Sequence, residues 1–286
     1  MEARDRLGLD ATYVARVVAA ALAEDVGPGD VTTLATIPPA ATCEARLNTR
    51  ASGVVCGLPV AGEAFRQLDP SLDVAVHRHD GEAMQPGDLL VTIRGSARAV
   101  LTAERVALNF AQRLSGIATI TARYVAAVQG TPATIVDTRK TTPGLRQLEK
   151  YAVRAGGGRN HRFGLFDGVL IKDNHIVAAG GVAAAVRAAR EGAPHSLRIE
   201  VETETLDEVR EALDAGADAI LLDNMPPPRL REAVELVGGR AVTEASGGIT
   251  LESVRAVAET GVDLISVGAL THSAPSLDLG LDFVLQ

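Results

Sequence analysis

From about residue 132 the chain alternates short β-branched runs with helical segments, and this alternation limits the fold more than any other feature. The runs are ATIVDT, GVLIKD, LRIEVE, DAILLD, AVTEAS and DLISVG. Helical segments such as LDEVREALDAG and LESVRAVAETG lie between them, each stopped by a glycine. Strands separated by helices pair in parallel, and the helices cover the sheet as a barrel or a doubly wound layer. Six such units fall short of an eight-fold barrel, so an incomplete, six- to seven-stranded parallel α/β barrel is expected. Each run is apolar until its C-terminal end. There stand Asp137, Arg139 and Lys140; Lys172, Asp173 and Asn174; Glu200 and Glu202; Asp223; Glu244 and Ser246; and Gly268. Barrel enzymes assemble their sites at those strand ends. Charges of both signs around one ring imply an anionic ligand on one side and a cation or polyol on the other.

The first half reads differently. Residues 30–100 are strand-like and turn-rich. ATCEARLNTR alternates, with Cys43, Ala45 and Leu47 on one face and Glu44, Arg46 and Asn48 on the other. LTAERVALNFAQRLSG reads as a helix ending near Gly116, whose polar face (Arg105, Asn109, Gln112) reads as solvated. LDLGLDFVLQ alternates again and is expected to return as a strand to the first domain. The apolar run Val17 to Ala23 follows Glu2, Asp5 and Asp10, which argues against a signal segment. An amphipathic helix with Val14, Val17, Val18, Ala21 and Leu22 on one face, an Asp10 N-cap and a Gly27 stop explains it better. A net charge of −8 argues against nucleic-acid and anionic-membrane partners. No apolar run reaches a membrane-spanning length. Cys43 and Cys56 form no disulfide framework or zinc pattern, so a reducing, cytoplasmic compartment is expected.

Against the acidic total, Asp137 to His175 holds eight Lys or Arg and only four Asp or Glu. Arg146, Lys150 and Arg154 read as a solvated helix face. Arg139, Lys140 and Lys172 end buried strands and do not. Guanidinium forks suit carboxylates, and lysine suits phosphate as a point charge. RAGGGRNHR sets His161 and Arg162 beside them. ASGGIT runs into a helix expected from about Leu251, and its glycines expose N–H groups to an anion; Gly268 supplies the next loop, with His272 after it. Glu200 and Asp223 offer hard oxygens for Mg²⁺ or ribose hydroxyls, with Glu202 as a second choice. The motifs GxxxxGK[ST] and HExxH are absent.

DTRKTTPGLRQLEKYAVRAGGGRNHRFGLFDGVLIKDNHI closely resembles the quinolinate phosphoribosyltransferase family, as do EDVGPGDVTT, LTAERVALNFAQRLSGIAT, ILLDNM, EASGGI and VGALTHS. The resemblance spans nearly the whole chain. It implies an N-terminal α/β sandwich domain over residues 1–113, rejoined by 271–286, and an incomplete barrel over 114–270. It implies transfer of phosphoribosyl from phosphoribosyl pyrophosphate to quinolinate, giving nicotinate mononucleotide, pyrophosphate and CO₂ in NAD biosynthesis, with Mg²⁺ as cofactor. By position, Arg139, His161, Arg162 and Lys172 resemble the quinolinate set, and Arg105 resembles an arginine contributed by a partner subunit. Lys140, Glu200 and Asp223 resemble the catalytic set, the two acids with Mg²⁺. Lys140, Asn174, Ser246, Gly247, Gly248, Gly268 and His272 resemble the phosphoribosyl pyrophosphate set. The resemblance also implies a homodimer with shared active sites, or a higher oligomer.

Overall fold

The structure is a computed structural model that describes residues 8–285. By internal packing the chain divides into two compact units, residues 1–122 with 142–157 and 273–286, and residues 123–141 with 158–272. The limits expected from sequence counted residues 114–122 and 142–157 with the barrel and 271–272 with the first domain; by packing the first two segments belong to the first unit and the last to the second. Residues 1–7 and 286, including Glu2 and Asp5, lie outside the described residues.

The first unit opens with α1 (Ala11–Val26), whose N-cap Asp10 accepts from the backbone N–H groups of Thr12 and Tyr13. Val14, Val18 and Leu22 are its buried stripe. Then follow α2 (Val31–Thr36), β1 (Thr42–Thr49), β2 (Gly53–Val54), α3 (Leu58–Leu68), β3 (Asp73–Val76), β4 (Ala83–Met84) and β5 (Leu89–Ser96). The alternation in β1 buries Cys43, Ala45 and Leu47.

The helix after β5, α4, runs from Ala97 to Ala127 without stopping at Gly116. Glycine is needed there for closeness rather than for termination. A Cβ on Gly116 would lie 2.0 Å from the Pro275 carbonyl oxygen. The last strand, β12 (Leu279–Leu285), pairs antiparallel with β1, as the alternating tail foretold. The four-stranded sheet has the order β12-β1-β5-β3.

The second unit supplies β6 (Thr134–Val136), and the chain then makes α5 (Arg146–Ala155) in the first unit. There follow β7 (Val169–Ile171), α6 (Asp173–Ala179), α7 (Val182–Gly192), β8 (Ile199–Thr203), α8 (Leu206–Asp214), β9 (Ala219–Asp223), α9 (Pro227–Val237), β10 (Val242–Ser246), α10 (Val254–Ala258), β11 (Leu264–Ser266) and α11 (Ala269–His272). The six strands form one parallel sheet in the order β6-β11-β10-β9-β8-β7, the incomplete barrel that the six runs required. Local signals agree with it. Thr205 and Glu208, for example, cap the start of α8 reciprocally, each side chain taking a backbone N–H of the other.

Two sequence expectations fail on burial and length. Lys150 is not on a solvated face; it is 1% exposed, one of six consecutive buried residues of α5. The segment after ASGGIT is a turn over residues 251–253, and α10 starts at Val254 with five residues.

Candidate active site

The ends of the sheet order, β6 and β7, flank a seam that no seventh strand among the described residues fills. The segment after the triple glycine fills part of it. The Arg159 N–H donates to the Ile135 carbonyl at 2.9 Å, and the Asp137 N–H donates back to the Arg159 carbonyl at 3.2 Å. This is a single parallel bridge between Val136 and Arg159. Asp137 is fully buried and anchors the seam, accepting from the Asn160 amide at 2.6 Å and the His161 backbone N–H at 2.8 Å. Burying an acid is costly without such donors.

Next to the seam, at the C-terminal ends of the strands, opens a cavity of about 620 Å³. One wall carries Arg139 and Lys140 after β6, His161 and Arg162 from the seam, and Lys172 after β7. The facing strands β9 and β10 carry Asp223, Asn224, Ser246, Gly247 and Gly248. The sheet order therefore separates the charges: cations gather at the seam, and acid and glycine loop stand on the central strands.

Each wall is held from behind. Lys172 pairs with Glu202 on β8. Arg162 donates to the Gly168 carbonyl at 3.0 Å. Burial, then the neighbouring Arg139, pushes the Arg162 guanidinium below its ordinary range, while Glu200 and Asp167 oppose that shift. The Lys140 backbone carbonyl accepts from the Thr271 hydroxyl at 2.6 Å. On the facing wall, Gly247 has φ +95° and Gly248 φ +60°. A Cβ on Gly247 would lie 2.2 Å from the Asn224 side-chain oxygen, so only glycine fits. Asn224 is itself left-handed at φ 53°, and its amide donates to Asp223 at 2.7 Å. Successive glycines in this geometry turn backbone N–H groups toward an anion.

At the cavity three residues meet that the sequence reading named separately and did not bring together: His161, Glu200 and Glu244. His161 Nε2 is 3.0 Å from Glu200 and 3.5 Å from Glu244. Its Nδ1 accepts the Arg162 backbone N–H at 2.7 Å. Both Glu244 oxygens are buried and lack a hydrogen bond of good geometry. Burial, then the charge of Glu200, pushes the Glu244 carboxyl up to about 8. The signal was present in AVTEAS, where Glu244 stands two residues before Ser246 on the same strand face.

Of the residues expected from sequence, the cavity gathers Arg139, Lys140, His161, Arg162, Lys172, Asp223, Ser246, Gly247 and Gly248. Glu200 does not stand beside Asp223 to share one ion. Its register partner on β9 is Ala219, four residues before Asp223, a separation of about 13 Å along the strand. Glu200 instead faces His161, and Glu202 is the β8 acid that lines the cavity. Gly268 borders Lys140 and His272, since a Cβ there would meet both side chains within 3.2 Å. His272 is exposed at the end of α11, and Asn174 is exposed in α6; neither lines the cavity. Arg105 is exposed on α4 in the first unit.

Comparison with known proteins identifies the family. Residues 30–115 match the quinolinate phosphoribosyl transferase N-terminal domain, and residues 117–282 match the C-terminal domain. A Bacillus subtilis protein described as a probable nicotinate-nucleotide pyrophosphorylase (carboxylating) is 49% identical over 263 residues, covering 92% of this chain and 91% of its own. The chloroplastic nicotinate-nucleotide pyrophosphorylase (carboxylating) of Arabidopsis thaliana is 47% identical, covering 93% of this chain and 81% of its own. The crystal structure of NadC from Streptococcus pyogenes superposes with a TM-score of 0.94 at 42% identity, covering 98% of this chain and 99% of that one. With both domain models matched in order along the chain, and a relative 49% identical over 92% of it, the chain belongs to the quinolinate phosphoribosyl transferase family.

Proposed function

We propose that this chain transfers the phosphoribosyl group of phosphoribosyl pyrophosphate to the ring nitrogen of quinolinate, with loss of one carboxylate as CO₂, in NAD biosynthesis. The observation that carries the reading is one cavity with a cation wall at the seam and a glycine nest with Asp223 across from it. A pyridine dicarboxylate is a planar dianion and suits the first wall. A phosphorylated sugar suits the second. Arg139, Arg162 and Lys172 would hold the dianion, and His161 would line its floor. Holding both substrates in register removes much of the entropic cost of bringing two anions together.

The ring nitrogen then forms a bond to the sugar C1 as the C1–O bond to pyrophosphate breaks. Lys140, beside Gly268, is suited to offset charge on the departing pyrophosphate. The resulting pyridinium accepts the electron pair left when the adjacent carboxylate departs as CO₂, and that carbon then takes a proton. Asp223, with one oxygen engaged by Asn224 and the carboxylate facing the cavity, fits an Mg²⁺ ion. Bound Mg²⁺ would supply charge neutralisation for pyrophosphate. Glu202 is less suited to that ion because Lys172 already holds it.

We further infer a homodimer, or a higher oligomer, in which exposed Arg105 completes a neighbour's site. We also infer a cytoplasmic location, supported by two free, buried cysteines. No helix among the described residues is long and apolar enough to cross a membrane. The test is direct. Purified protein with quinolinate, phosphoribosyl pyrophosphate and Mg²⁺ should yield equal amounts of CO₂ and nicotinate mononucleotide; absence of both refutes the reading. Mixed Arg105→Ala and Lys172→Ala subunits should recover activity if sites are shared.

A further inference from the structure

Lys140 stands beyond the end of β6, outside any helix or strand. The neighbouring strand in the sheet is β11. Their register runs to Val136 and Ser266, and the Val267 N–H donates to the Val136 carbonyl at 3.0 Å. Past that point a side chain joins the two strand exits. The Thr271 hydroxyl, 131 residues away in sequence, donates to the Lys140 carbonyl at 2.6 Å. Thr271 is fully buried and does not line the cavity. Its hydroxyl also lies 3.3 Å from the Gly268 carbonyl. That carbonyl already accepts the N–H groups of Thr271 and His272, each at 3.2 Å. One O–H carries one proton, and the closer acceptor, Lys140, takes it. On the other side, the Lys140 N–H donates to the Thr138 hydroxyl at 3.0 Å. Thr138 belongs to the same segment as Lys140 and travels with it, so Thr271 is the outside reference.

We propose that Thr271 is a positioning residue for the transfer: it sets where the Lys140 backbone leaves the sheet, and so where the Lys140 ammonium meets the departing pyrophosphate. A lysine carries its charge on a long flexible stem, so the ammonium is only as well placed as the backbone and the slot that aim it. Thr271 grips the backbone. Gly268 provides the slot, since a Cβ there would lie 3.2 Å from Lys140 Cδ and 3.1 Å from His272 Nε2. Both come from one turn of chain after β11. VGALTHS therefore serves Lys140 from behind, besides lining the approach to it.

The consequence follows from where charge develops. In the proposed transfer the ring nitrogen's lone pair forms the bond to C1, and the C1–O pair leaves on the pyrophosphate oxygen. Negative charge on that oxygen grows as the bond breaks. An ammonium in register with it stabilises the transition state more than the bound substrates, so misplacing it falls on kcat. Arg162 and Lys172 stand on other segments, and quinolinate affinity is spared. This inference deepens the proposed function and rests on it for its kinetic readout.

Two experiments test it. Thr271→Val keeps the β-branched shape and removes the hydroxyl. Its kcat should fall about 3- to 12-fold, the range for one hydrogen bond, while the quinolinate KM stays level. Thr271→Ser, which restores the donor, should recover most of that kcat. In a Lys140→Met background, Thr271→Val should change the residual kcat by less than about twofold, because the group it positions is gone. Full kcat in Thr271→Val, no recovery in Thr271→Ser, or the same fall on top of Lys140→Met overturns the proposal. The second experiment needs no turnover. In the ligand-free protein, amide hydrogen exchange at Lys140 and Thr141 should be at least about threefold faster in Thr271→Val, with the β6 amides unchanged. Unchanged exchange at those two amides overturns the proposal, with or without catalysis. Thr271→Ala carries both comparisons if the valine variant does not fold. If the unaltered enzyme makes no nicotinate mononucleotide, the functional reading fails and hydrogen exchange alone decides this one.

Discussion

Arg113→Met should destabilise the first unit by about 3–4 kcal/mol, a value built from one buried carboxylate and its donors. The Glu149 side chain is 1% exposed. It accepts from Arg113 Nη2 at 2.9 Å, from the Thr142 hydroxyl at 2.7 Å and from the Thr142 backbone N–H at 3.0 Å. Removing the cation leaves a buried anion with neutral donors only. Breaking a buried pair from one side costs about 3–5 kcal/mol. The Thr142 donors survive and Arg113 is 26% exposed, which places the loss in the lower part of that range. The bond from Arg113 Nη1 to the Ala274 carbonyl, 2.9 Å, is also lost, at about 1 kcal/mol. In a chain of this size each kcal/mol lowers Tm by about 2–4 °C, so a fall of roughly 6–16 °C is expected. Calorimetry at pH 7.5 on both single variants and the double variant is the assay. Arg113→Met with Glu149→Gln should recover at least half the loss, because no buried charge remains. A single-variant loss below about 1 kcal/mol, or a double variant no better than Arg113→Met, would falsify the reasoning.

Gly116→Ala should cost more than about 3 kcal/mol, because its Cβ would meet the Pro275 carbonyl at 2.0 Å, whereas Gly192→Ala, with nothing within 4 Å, should be neutral or slightly stabilising; urea unfolding compares them. Glu244→Gln should stabilise the fold at pH 8 by on the order of 3 kcal/mol and far less at pH 4. The folded Glu244 carboxyl titrates near 8 against an unfolded value of 4.5, so the unaltered protein loses stability as pH rises through that window; equal unfolding midpoints at both pH values would count against it. Lys172→Met should raise the quinolinate KM about 10- to 150-fold, the range for one lost charged hydrogen bond, with a much smaller effect on the phosphoribosyl pyrophosphate KM; equal effects on both would reassign Lys172.

What the sequence made legible is what repeats. Six apolar runs with polar ends marked six parallel strands and the rim where their side chains converge. Alternation in β1 and in the C-terminal tail marked two strands that pair with each other. The misreadings have physical causes. Gly116 lies inside a helix because glycine answers there to a crowded contact, and composition cannot tell closeness from termination. Lys150 carries a charge pattern that usually faces water, but burial of α5 depends on residues far away in the chain. Glu200 and Glu202 share one strand face, so period alone cannot say which lies at rim depth. The cross-strand register decides it, and places Glu202 beside Leu221. His161 counts among the cations in sequence, whereas in the structure its ring meets two acids on other strands, Glu200 at 3.0 Å and Glu244 at 3.5 Å.

The seam where β6 meets the triple-glycine segment has a consequence for change over evolutionary time. Closure of the barrel there depends on two backbone bonds to Arg159 and on the Asp137 clamp, none of which uses the side chains that face the ligand. The acceptor wall is thus a removable panel in a fixed frame. If Arg162 and Lys172 hold the ring acid as proposed, substitutions there would alter which acid is accepted while the five ladders from β6 round to β7 stay paired. Asp137 is the hinge pin of that panel: changing it would loosen frame and panel together.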